Sequence, residues 1–347
     1  MRQNLLSYIG DLIDQKLPFF LLRKANDSQV RILSQLDQKW HKTAHDNMTC
    51  GAFSKFQKYK DQVFIYGEVD SYFIYENNDL KKTDLLKAVS LVDIEEQNRY
   101  IKLVEKAVRE MKESNLKKVV LSRKQKLPKR STDLDILNQL LHHYPAANCY
   151  FFYHPEIGKW MGATPETLVQ IKDGKLETMS LAGTAIFIEN ESHIWGEKEL
   201  EEQKLVTDFI VQNLTQNGAE NIQKSEVKTV QAGNLIHLRT DITAKINQSD
   251  KSRFIEALHP TPAVCGLPRD KAEGFIMANE GYDRSFYTGY LGILENDVAN
   301  YFVNLRCMEV HEEHVDIYVG GGITELSDPK AEFEETMNKL MTMKKLL

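Results

Sequence analysis

The chain has 347 residues, 42% hydrophobic and 27% charged, with only 9 prolines, so it can bury a large core and shows no bias toward disorder. Its 44 basic and 50 acidic residues leave a net charge of −6, and no basic cluster dominates. That balance argues against a nucleic-acid partner and means that an anionic ligand would need local compensation.

In chain order, residues 2–16 carry the period of an amphipathic helix, and Asp84 to Ser114 contains a longer one with Ile101, Val104, Ala107, Val108 and Met111 on one face. KKVVLSR (117–123) reads as a strand whose alternation sets Lys118 with Val120 and Ser122, and Lys117 opposite. Periodicity does not decide which lysine faces inward. CYFFYH (149–154) and TLVQIK (167–172) read as strands, and between them GATPETL sets Glu166 at a Gly/Pro turn, where an exposed carboxylate is the plain reading. LAGTA (181–185) offers backbone N–H groups beside a hydroxyl, which suits either an anion or a tight turn. WGEKELEEQKLV (195–206) opens a charged helix with Glu199 and Glu202 three apart. His237 and His259 sit in apolar settings that suit hydrogen-bonded core histidines.

Three strand-like runs follow: SFYTGYLGIL (285–294), NYFVNLRCMEV (300–310) and VDIYVG (315–320). Short polar turns between them predict an antiparallel meander. Within the second run Arg306 faces the side of Phe302 and Met308, where an arginine wants an anionic partner. GGGITELSDPKAEFEETMNKL (320–340) then opens a helix at Asp328-Pro329, since aspartate caps free N–H groups and proline suits the first turn. Glu332 and Glu335 lie about 60° apart around it, and Lys339 continues that face. One acidic pair at a helix start is ordinary; two such pairs suggest opposed helices offering oxygen ligands to a hard cation such as Mg²⁺. HExxH, GxSxG and GxxxxGK[ST] are absent, which removes support for zinc proteolysis, serine hydrolysis and P-loop chemistry. Cys50, Cys149, Cys265 and Cys307 form no CxxC pair and read as reduced core thiols. The N-terminus lacks a leader pattern and no run reaches the length of a membrane span, so a cytoplasmic protein is expected. Helices between strand groups predict an α+β protein, and no Pro/Gly/Ser-rich linker divides residues 1–347, so one domain is expected.

The ordered set KVVLSR, GATPETL, SLAGTA, KELEEQ, NLIHL, LHPTPAVCGLP, RSFYTGYLG, VNLRCM, GGGI and DPKAEFEETMNKL resembles the chorismate-utilising enzymes, from about Leu116 to Leu340. Residues 1–90 resemble the family only faintly, around PFFLLRKAND and FIYGEV, and are expected to be a diverged part of the same domain. The resemblance implies two antiparallel sheets packed face to face, helices outside, with the site in a cleft. It places Lys118 where water-using members carry lysine and ammonia-using members a non-basic residue, which implies Lys118 as general base, a role that requires a neutral amine. Glu166 matches the general acid that protonates the departing C4 hydroxyl. Glu202 and Glu335 match the nearest Mg²⁺ ligands, with Glu199 and Glu332 supporting them. Tyr287, Arg306 and Lys339 would hold the enolpyruvyl carboxylate with Gly321 and Gly322 nearby, while Gly183, Thr184 and His237 line the ring. Glu334 points away and is expected to be a plain surface residue.

The first acidic helix departs from many relatives, with Gly196, Glu199 and Glu202-Gln203 where they carry Ser-x-Lys-Asp and then Glu-His. Ala263 in HPTPAVCG is small, as in isochorismate synthases, where salicylate synthases tend to carry a larger polar residue. The implied activity is Mg²⁺-dependent isomerisation of chorismate to isochorismate; the alternatives are a salicylate synthase and a chorismate-binding protein without turnover. A monomer with no glutamine amidotransferase subunit is expected. Both menaquinone and catecholate siderophore synthesis begin with this reaction, and menaquinone is the favoured pathway.

Overall fold

The structure is a computed structural model that describes residues 4–44, 48–57, 62–75, 93–189, 193–232, 235–247, 251–296 and 298–347. Its first elements are α1 (Leu5–Asp14), β1 (Phe19–Arg23), β2 (Gln29–Ser34), β3 (Cys50–Ser54), β4 (Val63–Tyr66), β5 (Val69–Ile74), α2 (Ile94–Glu113), β6 (Lys118–Pro128) and α3 (Asp133–His143). Then come β7 (Asn148–His154), β8 (Gly158–Thr164), β9 (Thr167–Lys172), β10 (Lys175–Ile186), α4 (Glu197–Gln216), β11 (Glu220–Lys224), β12 (Lys228–Ala232) and β13 (Leu235–Lys245). The last are α5 (Lys251–Leu258), β14 (Gly266–Leu267), α6 (Arg269–Asn279), β15 (Tyr290–Glu295), β16 (Val298–Val303), β17 (Cys307–Val310), β18 (His314–Ile323) and α7 (Pro329–Lys344). The first helix lies where its period predicts; of the second prediction, residues 84–92 lie outside the described residues.

One sheet runs β14-β6-β18-β17-β8-β7-β1-β2-β5 and the other β11-β13-β10-β9-β16-β15-β3-β4, with β12 on β13. The recorded pairings are antiparallel. The alternation in β7 shows how the layers form: Cys149, Phe151 and Tyr153 join a core beneath α1, α3 and the end of α7, while Tyr150 and Phe152 join a core shared with Phe53, Ile65 and Leu291 of the other sheet. Side chains of both sheets thus meet between them, and Phe53 stacks on Phe286 at 4.2 Å. The far face of the second sheet packs under α4 and α5 through Val206, Ile210, Leu214, Phe254 and Leu258. This is the α+β architecture expected, with all four cysteines buried and free.

Two expectations need correction. Residues 300–310 are not one strand: β16 belongs to the second sheet and β17 to the first, and the chain crosses between them at Asn304–Arg306. Arg306 therefore does not alternate with Phe302 and Met308 on a strand face; its φ is +47°, which breaks extended backbone. The meander is thereby split, with β15–β16 in one sheet and β17–β18 in the other. LAGTA is not a tight turn but part of β10, where Gly183 at φ +68° sits in a register shift between Ala182 and Ala185.

Candidate active site

The chain makes a second crossing at Pro165 and Glu166, from β8 in the first sheet to β9 in the second. The two crossings lie side by side. Thr164 Oγ1 donates to the Val303 carbonyl at 2.6 Å, Val303 N–H to the Glu166 carbonyl at 3.0 Å, and Ala163 N–H to the Arg306 carbonyl at 3.0 Å. Glu166 is only 3% exposed, so the exposed turn carboxylate is overturned by tertiary packing. Beside the crossings opens a cavity of about 790 Å³, part of it open to solvent. Glu166, Gly183, Thr184, Glu202, His237 and Ala263 line it, as do Tyr287, Arg306, Gly320, Gly322, Glu335 and Lys339. Burial pushes the Glu166 carboxyl up to about 8 despite the opposing pull of Lys118 and Lys339, so it holds its proton at neutral pH.

His237 explains itself through its partners. Nδ1 lies 2.9 Å from the Gly183 carbonyl, which only accepts, and Nε2 lies 2.7 Å from an Arg306 guanidinium nitrogen, which only donates. The ring is therefore neutral with its proton on Nδ1, and burial, Arg306 and Lys339 together lower its pKa to about 3. It fixes Arg306 without competing with it as a cation. Burial also lowers Arg306, to about 10, so it stays charged at neutral pH. Tyr287, 2% exposed, stacks on Tyr318 at 5.4 Å, and its hydroxyl stands against the bare Cα of Gly320.

The acidic residues come from two opposed helices. α4 is pinned to its sheet by Gln203, whose Nε2 donates to the Ser180 hydroxyl at 2.8 Å and the Ser180 carbonyl at 3.2 Å. This turns Glu202 toward β18. Asp328 caps α7 by accepting from the N–H groups of Lys330 and Ala331, and Glu332 and Glu335 follow on the face toward the glycine run. A side-chain carbon at Gly322 would lie 2.4 Å from Glu202 Oε1, and one at Gly321 would lie 3.3 Å from Glu332 Oε2 and 3.6 Å from Glu335 Oε1. The glycines are thus the notch into which three carboxylates reach. Gly321 faces this notch and is not part of the cavity lining. Glu199 is placed differently: its Oε2 accepts from Gly196 N–H at 3.1 Å and closes the start of α4.

Each inner carboxylate has a lysine. Lys118 Nζ is 2.9 Å from Glu202, Lys198 Nζ 2.6 Å from Glu332, and Lys339 Nζ 2.7 Å from Glu335. Lys118 is fully buried and stands behind Glu202, outside the cavity lining; its ammonium is at ion-pair distance yet has no well-aligned hydrogen-bond acceptor. Lys117 is exposed, which decides between the two lysines. Burial alone would raise Glu202, but Lys118, Lys198 and Lys339 outweigh it and hold the carboxyl low. Glu332 is raised, by burial and then by the charge of Glu335.

The donor set fits a hard dication. Glu332 Oε2 is buried without a hydrogen-bond partner, two like charges face one notch, and all donors are oxygens. Sequence reasoning missed Lys198, whose position four residues before Glu202 on one helix face was the available signal, and Gly320, the first glycine of the run. Glu334 is exposed.

Comparison with known proteins shows the family and the fold. Isochorismate synthase MenF of Escherichia coli (strain K12) is 31% identical over 265 residues, covering 72% of this chain and 60% of that protein, so the chain spans about three fifths of that relative. Isochorismate synthase EntC of the same strain is 30% identical over 280 residues, covering 76% of this chain and 70% of EntC. The structure of the menaquinone-specific isochorismate synthase MenF from Escherichia coli superposes with a TM-score of 0.84 at 21% identity, covering 100% of this chain and 92% of that one, a likeness of fold. With the profile of the chorismate binding enzymes matching residues 33–347, nearly the whole of both sheets, the chain belongs to the chorismate binding enzyme family.

Proposed function

We propose that the chain is an isochorismate synthase, moving the hydroxyl of chorismate from C4 to C2. The observation that carries this reading is a carboxyl that holds its proton at neutral pH, Glu166, in a cavity whose other charged walls include Arg306 and Lys339. A dianionic substrate meets the cations, and the protonated carboxyl adds no repulsion.

In this reading Arg306, oriented by neutral His237, and Lys339 hold the enolpyruvyl carboxylate. Lys118 must first give up the ammonium proton that pairs it with Glu202; as a neutral amine it takes a proton from the water that attacks C2, and Glu166 gives its proton to the hydroxyl that leaves C4. One water enters and one leaves, so the product is an isomer. Lys118 ends with an extra proton and Glu166 without one, and a proton returns from one to the other, directly or through solvent, before the next turnover. Glu202 and Glu335, with the unpartnered Oε2 of Glu332, would hold Mg²⁺ at the glycine notch. Bound there, Mg²⁺ would neutralise the ring carboxylate and draw charge from the ring. Glu199 supports this set through the helix start.

Incubation with chorismate and Mg²⁺, followed by chromatography of the products, tests the proposal. Isochorismate in equilibrium with chorismate is expected. Salicylate with pyruvate, anthranilate on adding ammonium, or unconsumed chorismate would each overturn it.

A further inference from the structure

The hairpin β17–β18 carries a second group of chemistry-bearing side chains, remote from the cavity. His311 N–H donates to the His314 carbonyl at 2.9 Å and closes the turn, and the register pairs Val310 with Val315 and Glu309 with Asp316. Val310 and Val315 point into the core beneath the helices. Alternation therefore sends Glu309, His311, His314 and Asp316 to the other face, where they form a two-by-two grid. The imidazole rings stack at 4.2 Å and 19°. His311 Nε2 lies 3.6 Å from Asp316 Oδ2 and 3.8 Å from Glu309 Oε2.

Two features of this grid ask for a cation. Two carboxylates stand directly opposite each other across the hairpin, an arrangement that repels. Asp316 is also only 6% exposed, yet its Oδ1 has no hydrogen-bond partner among the described residues, and neither has His311 Nε2. A buried carboxylate oxygen and a buried ring nitrogen left unmatched cost free energy unless something binds them. Lys124 partly answers the charge, with Nζ 3.0 Å from Asp316 Oδ2, but its side chain is 38% exposed, so solvent screens that pair. Lys126 lies opposite Asp316 in the register of the neighbouring strand. Lys159 is engaged elsewhere, with Asp133 at 2.7 Å.

We propose that His311, His314 and Asp316 form a binding site for a borderline transition-metal dication such as Zn²⁺, with Glu309 or water as fourth ligand. Their ligand atoms lie within 4.8 Å of one another. Tetrahedral coordination at about 2.0 Å needs neighbouring donors about 3.3 Å apart, a contraction that side-chain rotation supplies. Two imidazoles and a carboxylate favour Zn²⁺, Co²⁺ or Ni²⁺ over Mg²⁺, which separates this site chemically from the all-oxygen notch. Along β18 Asp316 lies four residues from Gly320, about 13 Å, so the two sites occupy one strand without sharing a ligand.

The test is titration of the full chain with Co²⁺ in excess Mg²⁺, which keeps the carboxylate notch occupied, reading visible d–d absorption. One Co²⁺ per chain with four-coordinate bands, displaced by Zn²⁺, is expected. His311→Gln and His314→Gln should each weaken binding by more than about tenfold. Glu335→Gln should leave it unchanged, and the melting temperature without metal should be unaltered in the two histidine variants. Bands that persist in both histidine variants, bands lost only in Glu335→Gln, or no stoichiometric binding below millimolar Co²⁺ would each overturn the proposal.

Discussion

Replacing Glu166 with Gln separates the acid from its surroundings, because glutamine keeps the size and polarity but never ionises. The carboxyl is 3% exposed, and burial pushes it from the ordinary 4.5 of a glutamate up to about 8 in the folded chain. Between those values the folded state holds a proton that the unfolded chain has released, so this group's contribution to stability is full below 4.5 and is lost as pH rises through 8. The whole displacement corresponds to about 5 kcal/mol, of which about 3 kcal/mol has been lost by pH 7. The variant carries no such dependence. Melting temperatures of the two proteins, measured in parallel at pH 5, 7 and 9, should therefore diverge in favour of Glu166→Gln as pH rises. In the same variant turnover should fall by about 10²–10⁴, and the loss of activity of the parent above pH 8 should report the same group. Parallel melting curves at every pH would refute the protonated carboxyl, and near-normal turnover would refute its role as acid.

Lys118→Gln should lower turnover by about 10²–10⁴. It also leaves Glu202 without its 2.9 Å partner, so melting should drop, by less than the about 3–5 kcal/mol of a fully buried pair because Glu202 is 12% exposed. Exposed Lys117→Gln is the control, and a larger effect there would refute the assignment. Glu335→Gln should raise the Mg²⁺ concentration needed for half-maximal rate, while Glu334→Gln, exposed one position away, should change neither rate nor melting; titration of rate against Mg²⁺ checks both. Gly322→Ala should abolish turnover while the chain still folds, since its Cβ would meet Glu202 Oε1 at 2.4 Å and Lys118 Cε at 3.1 Å. Retained activity in that variant would show that Glu202 does not need its place.

Elements with a one-sided local signal were legible. Asp328-Pro329 caps α7 as its residue types require, and the aromatic run Cys149–His154 is a strand buried on both faces. The crossings were not legible, because Val303 to Cys307 alternates apolar and polar residues as one continuous strand would and hides the change of sheet. The cue was Asn304, whose side chain is bonded as well as its backbone: it accepts from Tyr150 Oη at 2.6 Å and donates to the Phe286 carbonyl at 2.9 Å. Glu166 was misread on local grounds for a related reason. Burial of a turn carboxylate is created by whatever lies opposite it, here β16 and the Arg306 crossing, which are more than a hundred residues away in sequence. The two lysines of KKVVLSR show the limit of period-2 reasoning, which assigns faces but not which face is covered.

The placement of the site follows from those crossings. Between two packed sheets the core is apolar and aromatic, with Phe53, Phe152 and Trp160 filling it, and a charged group there would be left without partners. Where the chain passes from one sheet to the other, strand pairing stops and backbone and side-chain polar groups must find other partners. Thr164, Val303 and Arg306 supply them by bonding the two crossings to each other, and the strain of a left-handed Arg306 is taken up in the same place. A carboxyl that is to stay protonated needs such a dry wall, and an arginine that is to hold an anion needs an open side. The seam offers both within one hydrogen-bonded unit, so the relative position of Glu166 and Arg306 is set by bonds between the crossings and not by the helices bearing the acidic residues.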